Sequence, residues 1–291
     1  MAHSTPAPDR QAARDLVAHF SLEMTGKDVG ALHAARDVIP PGTRINVTFL
    51  GNEDLQLRVD AAALVRRLGF VPVPHISARR LGSRRQLEEF LSRLQEVGAA
   101  DSVFVVGGDP AEPEGPYADT LTVIRTGVLQ QFGVRQVSVA GYPEGHPDIS
   151  TDTLWRHLED KTAELREQGL SAVILTQFAF DTDPVIDWIA SVRARDIDST
   201  IRIGTPGPAG IRRLLGFARR FGIGANATIV KKYGFSLGNL MGTAGPDRFV
   251  TDLSGRVAAD PSAGDVKLHF YTFGGLLATS QWARDYVAAQ S

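Results

Sequence analysis

The sequence predicts a (β/α)₈ barrel, also called a TIM barrel, folded as a single domain. Eight short β-branched runs recur along the chain, and a helical stretch follows each of them. The runs are apolar on both faces, as parallel strands are when helices cover the sheet outside and side chains fill it inside. The predicted strands are residues 19–24, 44–50, 70–76, 102–108, 136–142, 172–178, 200–206 and 267–273.

The helices between these strands are predicted from apolar periodicity and from residues that begin or end a helix. Ser83 is a suitable N-cap and Gly98 a suitable stop for a helix over 83–99, and Gly69 stops a helix over 54–69. The glycine-rich stretch 222–242 is expected to hold short helices or a loop over the barrel mouth. The other predicted helices are 117–133, 153–169, 184–196, 211–222, 248–260 and 282–290.

Composition limits the classes of function. The net charge of −2 creates no field that would attract nucleic acid or an anionic membrane, and no run approaches the roughly 18 apolar residues of a membrane span. The absence of cysteine excludes disulfides, thiolate nucleophiles and cysteine-ligated metals. We therefore expect a cytoplasmic protein, with residues 1–15 as a flexible N-terminal tail and residues 16–291 as the barrel catalytic domain.

The active site of such a barrel lies at the C-terminal ends of its strands, and polar residues stand at these ends here. They are Glu23, Thr48, His75, Asp109, Tyr142, Gln177 and Thr272. A carboxyl such as Glu23 at an apolar mouth suits a general acid, and a solvated rim carboxylate is the alternative. The amide of Gln177 matches the edge of a heterocycle, or it satisfies the neighbouring backbone.

Two loops at the predicted mouth carry further signals. The turn Gly107-Gly108-Asp109 lets backbone amides approach a ligand, although ordinary turn chemistry explains it equally well. The segment 138–147 carries Tyr142, a glutamate and His146 among prolines, a composition that favours a functional loop over a merely rigid turn.

Other kinds of site are not predicted. His75 stands alone and no His-x-His pair occurs, so the sequence offers no metal site. There is no Walker loop and no GxGxxG motif that follows a strand and opens a helix, which argues against a Rossmann domain. The basic pairs 79–80, 84–85 and 231–232 are interpreted as solvated faces, one of which could meet an anionic ligand tail.

The order of the strand-end motifs SLEM, INVTF, PHIS, GGDP, YPEGHP, TQFAFD and HFYT resembles that of the methylenetetrahydrofolate reductases, over about residues 18–275. The resemblance implies a barrel with non-covalently bound FAD that interconverts 5,10-methylenetetrahydrofolate and 5-methyltetrahydrofolate, with NADH or NADPH as co-substrate. It also implies tetrahydrofolate derivatives as partners and a homo-oligomer.

The resemblance assigns roles residue by residue. Glu23 would protonate the folate nitrogen, and Asp109 would influence the flavin potential and stabilise the cationic iminium. The positions implied to contact the substrate are Gln177, Asp109, Phe180 and Ile211. The positions implied to contact the flavin are Thr48, His75, Gly107, Gly108, Asp109, Tyr117, Ala118, Ala140, Tyr142, His146 and Lys161.

The chain departs from the family pattern at three places. Gly107 stands where the family usually has arginine, which removes one cationic flavin contact. Residues 24–27 replace a Phe-Phe-Pro-Pro run, and Ile211 aligns near an aromatic residue of the folate and nicotinamide site. A flavin-free, pterin-binding methyltransferase and a folate-binding barrel without turnover are therefore alternatives.

Overall fold

The computed structural model describes residues 10–51, 53–220 and 243–290. The barrel strands are β1 (Ser21–Met24), β2 (Arg44–Val47), β3 (Val71–Ser77), β4 (Ser102–Val106), β5 (Gln136–Gly141), β6 (Ser171–Phe178), β7 (Thr200–Pro206) and β8 (Val266–Tyr271). These eight parallel strands form a closed barrel in the order β1-β8-β7-β6-β5-β4-β3-β2, so the predicted (β/α)₈ fold is confirmed. The two-residue strands Ala209–Gly210 and Thr243–Ala244 pair antiparallel outside the barrel.

Helices surround the barrel, and the predicted helix over 117–133 is divided in two. Gly127, with a φ of 64° that favours glycine, separates the two halves. The helices are α1 (Arg10–Ala18), α2 (Val29–Ala35), α3 (Leu55–Arg67), α4 (Arg84–Glu96), α5 (Thr120–Ile124), α6 (Val128–Gln131), α7 (Thr151–Glu167), α8 (Thr182–Arg193), α9 (Ile211–Arg220), α10 (Asp247–Ala259) and α11 (Leu276–Ala289). No helix in the described part of the chain is long and apolar enough to cross a membrane.

Helix α1 extends the barrel domain toward the N-terminus. Its Ala13, Leu16 and Val17 are buried, and it packs against α10, α11 and β8. The predicted tail over 1–15 therefore needs correction at residues 10–15, because this apolar face belongs to the main core. Residues 1–9 of the predicted tail, and the whole of the predicted segment 222–242, lie outside the described residues.

The interior of the barrel has an apolar half and a polar half. Val73, Phe104 and Leu175, on the side of β3 to β6, form an apolar cluster that is separate from the core between strands and helices. On the side of β8, β1 and β2, the buried residues Ser21, Asn46 and His269 occupy positions that alternate with residues of the outer core. This polar half leads up to the mouth of the barrel.

Candidate active site

Glu23 stands at the mouth, above the polar half of the barrel. It shares one face of β1 with Ser21, because residues two apart in a strand point the same way. Its side chain is 23% exposed, so the carboxyl is accessible from the mouth. The Thr272 hydroxyl donates to the backbone carbonyl of Glu23 at 2.6 Å and ties the ends of β8 and β1 together. Thr272 thus fixes the backbone that carries the carboxyl.

His269 lies beside Glu23 and is fully buried. Its Nδ1 is 2.9 Å from Ser21 Oγ, and its Nε2 is 3.7 Å from Glu23 Oε2. Burial lowers the pKa of His269 against the opposing effect of the Glu23 charge, so the imidazole is neutral at neutral pH. A neutral imidazole has one donor and one acceptor nitrogen, and the Ser21 hydroxyl pairs with either form.

Tyr271 holds the other side of the imidazole. Its ring meets His269 edge-on with the ring centroids 4.9 Å apart, and its hydroxyl donates to the Thr176 carbonyl at 3.1 Å. That carbonyl lies at an irregularity in β6, where two residues of β6 stand opposite one of β7. A Cβ at Gly204 would lie 2.6 Å from the Thr176 oxygen and 2.8 Å from the Tyr271 ring, so only glycine fits there.

The predicted substrate contacts at and beyond the end of β6 have different surroundings. Gln177 is half-buried, and its Oε1 accepts from the backbone N–H of Phe178 at 3.1 Å. Phe180 is 2% exposed and packs edge-on against Phe178, inside an aromatic cluster rather than at the surface of the mouth. Ile211 begins α9, and its side chain lies outside the described part of the structure.

Thr48 and His75 extend the site from β1 across the ends of β2 and β3. Both are buried, and among the described residues neither Thr48 Oγ1 nor His75 Nε2 has a hydrogen-bond partner. Burial lowers the pKa of His75 from 6.5 to about 4, so its ring is neutral at neutral pH. The two buried polar atoms are suited to meet the polar edge of a ligand.

The burial of His75 predicts a loss of stability in acid. Above pH 6.5 the ring is neutral in both states, whereas between pH 6.5 and about 4 only the unfolded chain takes up the proton. The free energy of unfolding should therefore fall by about 3 kcal/mol over this range on account of His75. Urea unfolding at pH 7, 5.5 and 4.5 measures it. In a His75→Asn variant the free energy of unfolding should depend less on pH, whereas the control His33→Asn, at an exposed position, should keep the parental pH dependence. Equal pH slopes in all three proteins would contradict the prediction.

Asp109 does not stand alone at the end of β4. Arg80 donates to it through Nε and Nη2 at 2.8 Å each, and 77% of the Asp109 side chain is exposed. Arg79 donates to the carbonyls of Ala118 at 2.8 Å and Pro110 at 3.3 Å. The interpretation of the pair 79–80 as a solvated face is therefore wrong, because both guanidinium groups build the loop after β4.

The other predicted flavin positions are dispersed. Tyr117 is 4% exposed and belongs to the main core, whereas Ala140 packs inside the barrel. Tyr142 meets His146 edge-on with ring centroids 5.4 Å apart, and burial raises the pKa of Tyr142. Lys161 on α7 is buried, and burial lowers its pKa to about 8 although Asp119 opposes this. Lys161 is thus a poorly solvated cation near the start of α5.

The two glycines before Asp109 differ in their surroundings. A Cβ at Gly107 would meet no atom of the described residues within 4 Å, so these residues leave the space beside its backbone open to a ligand. Gly108 has a φ of 97°, a value that favours glycine, and a Cβ there would meet Ser77.

A cavity of about 410 Å³ lies at the end of β5, between α7 and α8. Its walls include Tyr142 and Glu144, and the stacked rings of Trp155 and Trp188 with centroids 5.8 Å apart. Burial and the charge of Asp181 raise the pKa of Glu144. Glu23 and His269 are not part of its lining. Over the described ranges, no group of three His, Asp or Glu side chains is arranged to hold a metal ion.

Sequence reasoning missed His269, Ser21 and Arg80. A signal existed for His269, because a buried histidine in the middle of the apolar run VKLHFY finds hydrogen-bond partners less easily than a histidine at a strand end. No comparable signal marked Arg80, whose partner Asp109 is 29 residues away in the next strand–loop unit.

Comparisons with known proteins agree on a family and on a fold. The family model described as methylenetetrahydrofolate reductase matches residues 36–211. Methylenetetrahydrofolate reductase 1 of Schizosaccharomyces pombe is 33% identical over 148 residues, which are 47% of this chain and 23% of that protein. Methylenetetrahydrofolate reductase 2 of Saccharomyces cerevisiae is 32% identical over 112 residues, which are 38% of this chain and 17% of that protein. The match thus spans less than a quarter of either relative.

Among solved structures, dihydropteroate synthase from Thermus thermophilus in complex with 6HMPPP is similar with a TM-score of 0.50 and 13% identity, over 94% of this chain and 92% of that chain. A second structure of the same enzyme also has a TM-score of 0.50. At this identity, the likeness shows the barrel fold alone.

Proposed function

Since the chain belongs to the methylenetetrahydrofolate reductase family, we propose that it interconverts 5,10-methylenetetrahydrofolate and 5-methyltetrahydrofolate. FAD is the proposed bound cofactor, NADH or NADPH the proposed electron partner, and a cytoplasmic homo-oligomer the proposed form of the enzyme. The observation that carries the proposal is the Glu23 carboxyl at the barrel mouth, 3.7 Å from a neutral, buried histidine. Both residues lie outside the matched range 36–211, so this geometry is an argument independent of the family match.

Ser21 and His269 equip Glu23 to hold and release a proton. Ser21 Oγ lies 2.9 Å from His269 Nδ1 and 3.4 Å from the Leu268 carbonyl. When the hydroxyl donates to Nδ1, the proton on Nε2 faces a Glu23 carboxylate. When the hydroxyl donates to Leu268, Nδ1–H donates to Ser21, and Nε2 is an acceptor that faces a Glu23 carboxylic acid. The imidazole therefore has a form suited to each protonation state of Glu23.

In the reductive direction, Glu23 donates its proton to the folate nitrogen, and the C–N bond of the methylene bridge breaks to leave an iminium cation. Hydride then adds to the exocyclic carbon and gives the methyl group. In the oxidative direction, Glu23 takes the proton back. Asp109 and Gln177 are the proposed folate contacts, and stabilisation of the cation is a further proposed role of Asp109. A bound flavin would supply the hydride chemistry at its N5.

The residues present fit a flavin at its ring end and partly at its phosphate end. Thr48 Oγ1 and His75 Nε2 are buried polar atoms that lack a hydrogen-bond partner within the described residues. They could form hydrogen bonds with the polar edge of the flavin ring. The open space beside Gly107 allows close approach of a flat group. Toward the phosphates, Lys161 is the proposed cation, since Arg79 and Arg80 are engaged with the loop after β4.

The absorption spectrum of freshly purified protein tests the cofactor. We expect the visible bands of a bound flavin, bleached anaerobically by NADH or NADPH and by 5-methyltetrahydrofolate. A colourless protein that FAD does not restore, yet that reduces methylenetetrahydrofolate with NADH, would contradict the flavin and leave the folate reaction standing. Folate binding with no redox turnover under any condition would favour the methyltransferase or the non-catalytic barrel.

A further inference from the structure

Gly51 forms a seat for the Arg80 guanidinium. A Cβ built on Gly51 would lie 2.4 Å from Arg80 Nη2, 2.5 Å from Cζ and 2.7 Å from Nη1. The guanidinium thus rests directly on the backbone of the loop after β2, and any side chain at position 51 would displace it. The ring of Phe49 lies 5.6 Å from the same guanidinium.

From this seat Arg80 reaches the loop after β4 in a fixed orientation. Two parallel contacts of 2.8 Å join Nε and Nη2 to the two carboxylate oxygens of Asp109, and Nη1 lies 3.5 Å from Glu114. Arg79 secures the same loop through backbone carbonyls, and the Glu114 N–H donates to the Arg79 carbonyl at 2.7 Å. Arg80 is therefore the member of the pair that acts on the carboxylate.

We propose that Arg80, seated on Gly51, is a positioning residue that orients Asp109 to accept a hydrogen bond from an N–H group of the pterin ring. The inference rests on the proposed function, because it takes Asp109 to be a folate contact. A carboxylate has about four lone-pair sites, and the bidentate pair with Arg80 uses one on each oxygen. The rigid guanidinium fork defines the directions in which the other acceptor sites of the carboxylate point.

The affinity of the full chain with its flavin reduced for 5-methyltetrahydrofolate, measured anaerobically by titration calorimetry, tests the proposal, because a reduced flavin cannot oxidise this ligand. Loss of an oriented, charge-assisted contact should raise Kd about tenfold in Arg80→Met. Gly51→Ala should raise Kd by a similar factor, because its methyl group displaces the guanidinium while both charged residues remain. Arg80→Lys should lie between the parent and Arg80→Met, because an ammonium lacks the bidentate fork.

A double-mutant cycle separates positioning from a merely structural role. Asp109→Asn alone should raise Kd about tenfold, and Arg80→Met with Asp109→Asn should raise it no further than either change alone. Arg93→Met removes an exposed pair with Glu89, and Gly30→Ala adds a methyl group that no atom of the described part of the chain approaches within 4 Å. Both controls should keep the parental Kd.

The outcomes distinguish this inference from the proposed function. Parental affinity in Arg80→Met and Gly51→Ala, with weak binding by Asp109→Asn, would overturn the role of Arg80 and leave Asp109 as a folate contact. Multiplied effects in the double variant would also overturn it, because the two residues would then act independently. Parental affinity in Asp109→Asn would refute both the positioning role and the assignment of Asp109 to folate.

Discussion

A Glu23→Gln variant is expected to lose methylenetetrahydrofolate turnover by about 10²- to 10⁴-fold, the usual contribution of a general acid. The amide has the shape of the carboxyl but cannot deliver the proton that opens the methylene bridge. The fold should survive, because the hydrogen bond from Thr272 ends on the backbone carbonyl of Glu23 and not on its side chain. Anaerobic steady-state rates with methylenetetrahydrofolate, together with the flavin content, measure the effect.

The half-reaction with NADH or NADPH serves as an internal control for this variant. Reduction of the flavin by a nicotinamide needs no proton from Glu23, so its rate should match that of the parent. Glu167→Gln, a change at an exposed position near the end of α7, should keep both rates. Parental folate turnover in Glu23→Gln would assign proton donation to another group and remove the main argument for the proposed mechanism.

The barrel could be predicted because its signals are local. Each strand is an apolar run between polar segments, and the repeated alternation with helices admits few other folds. The ends of the strands were less predictable, because an apolar run can continue past the last residue that pairs with a neighbouring strand. Phe49 extends the apolar run of β2 but lies outside the strand, where it packs over the Arg58 guanidinium at 4.0 Å from the ring centroid.

The sequence predicted those site residues that can be recognised from their own strand, without knowledge of contacts between distant segments. Glu23, Thr48 and His75 lie close to the ends of the neighbouring strands β1, β2 and β3, so the strand order alone brings them to one side of the mouth. The pairing of His269 with Ser21 joins residues 248 positions apart through closure of the barrel, and its contact depends on the β1–β8 register. The position of the Arg80 guanidinium depends on the absence of a Cβ at Gly51, in another loop. No pattern of residue types in the sequence indicates this contact.

His269→Gln is the second change for which a large effect is expected, a fall in kcat of about 10- to 100-fold, or about 1.4–2.7 kcal/mol of transition-state stabilisation. Glutamine keeps a polar group near Glu23 but cannot move a proton from one ring nitrogen to the other, as the imidazole does when Glu23 changes its protonation state. Proton transfer should then limit the rate, so the solvent deuterium isotope effect on kcat should rise.

Ser21→Ala completes the test of the role that Ser21 and His269 have beside Glu23, because it removes the hydroxyl 2.9 Å from Nδ1 and leaves the imidazole in place. We expect a smaller fall in kcat than in His269→Gln, and no additional fall when the two changes are combined, since the hydroxyl acts only through the ring. The exposed variant His33→Gln should keep the parental rate and isotope effect. If His269→Gln and Ser21→Ala both turned over at the parental rate, Glu23 would exchange its proton directly with solvent at the mouth, where 23% of its side chain is exposed. The buried serine and histidine would then contribute to the packing of the polar half of the barrel and not to catalysis.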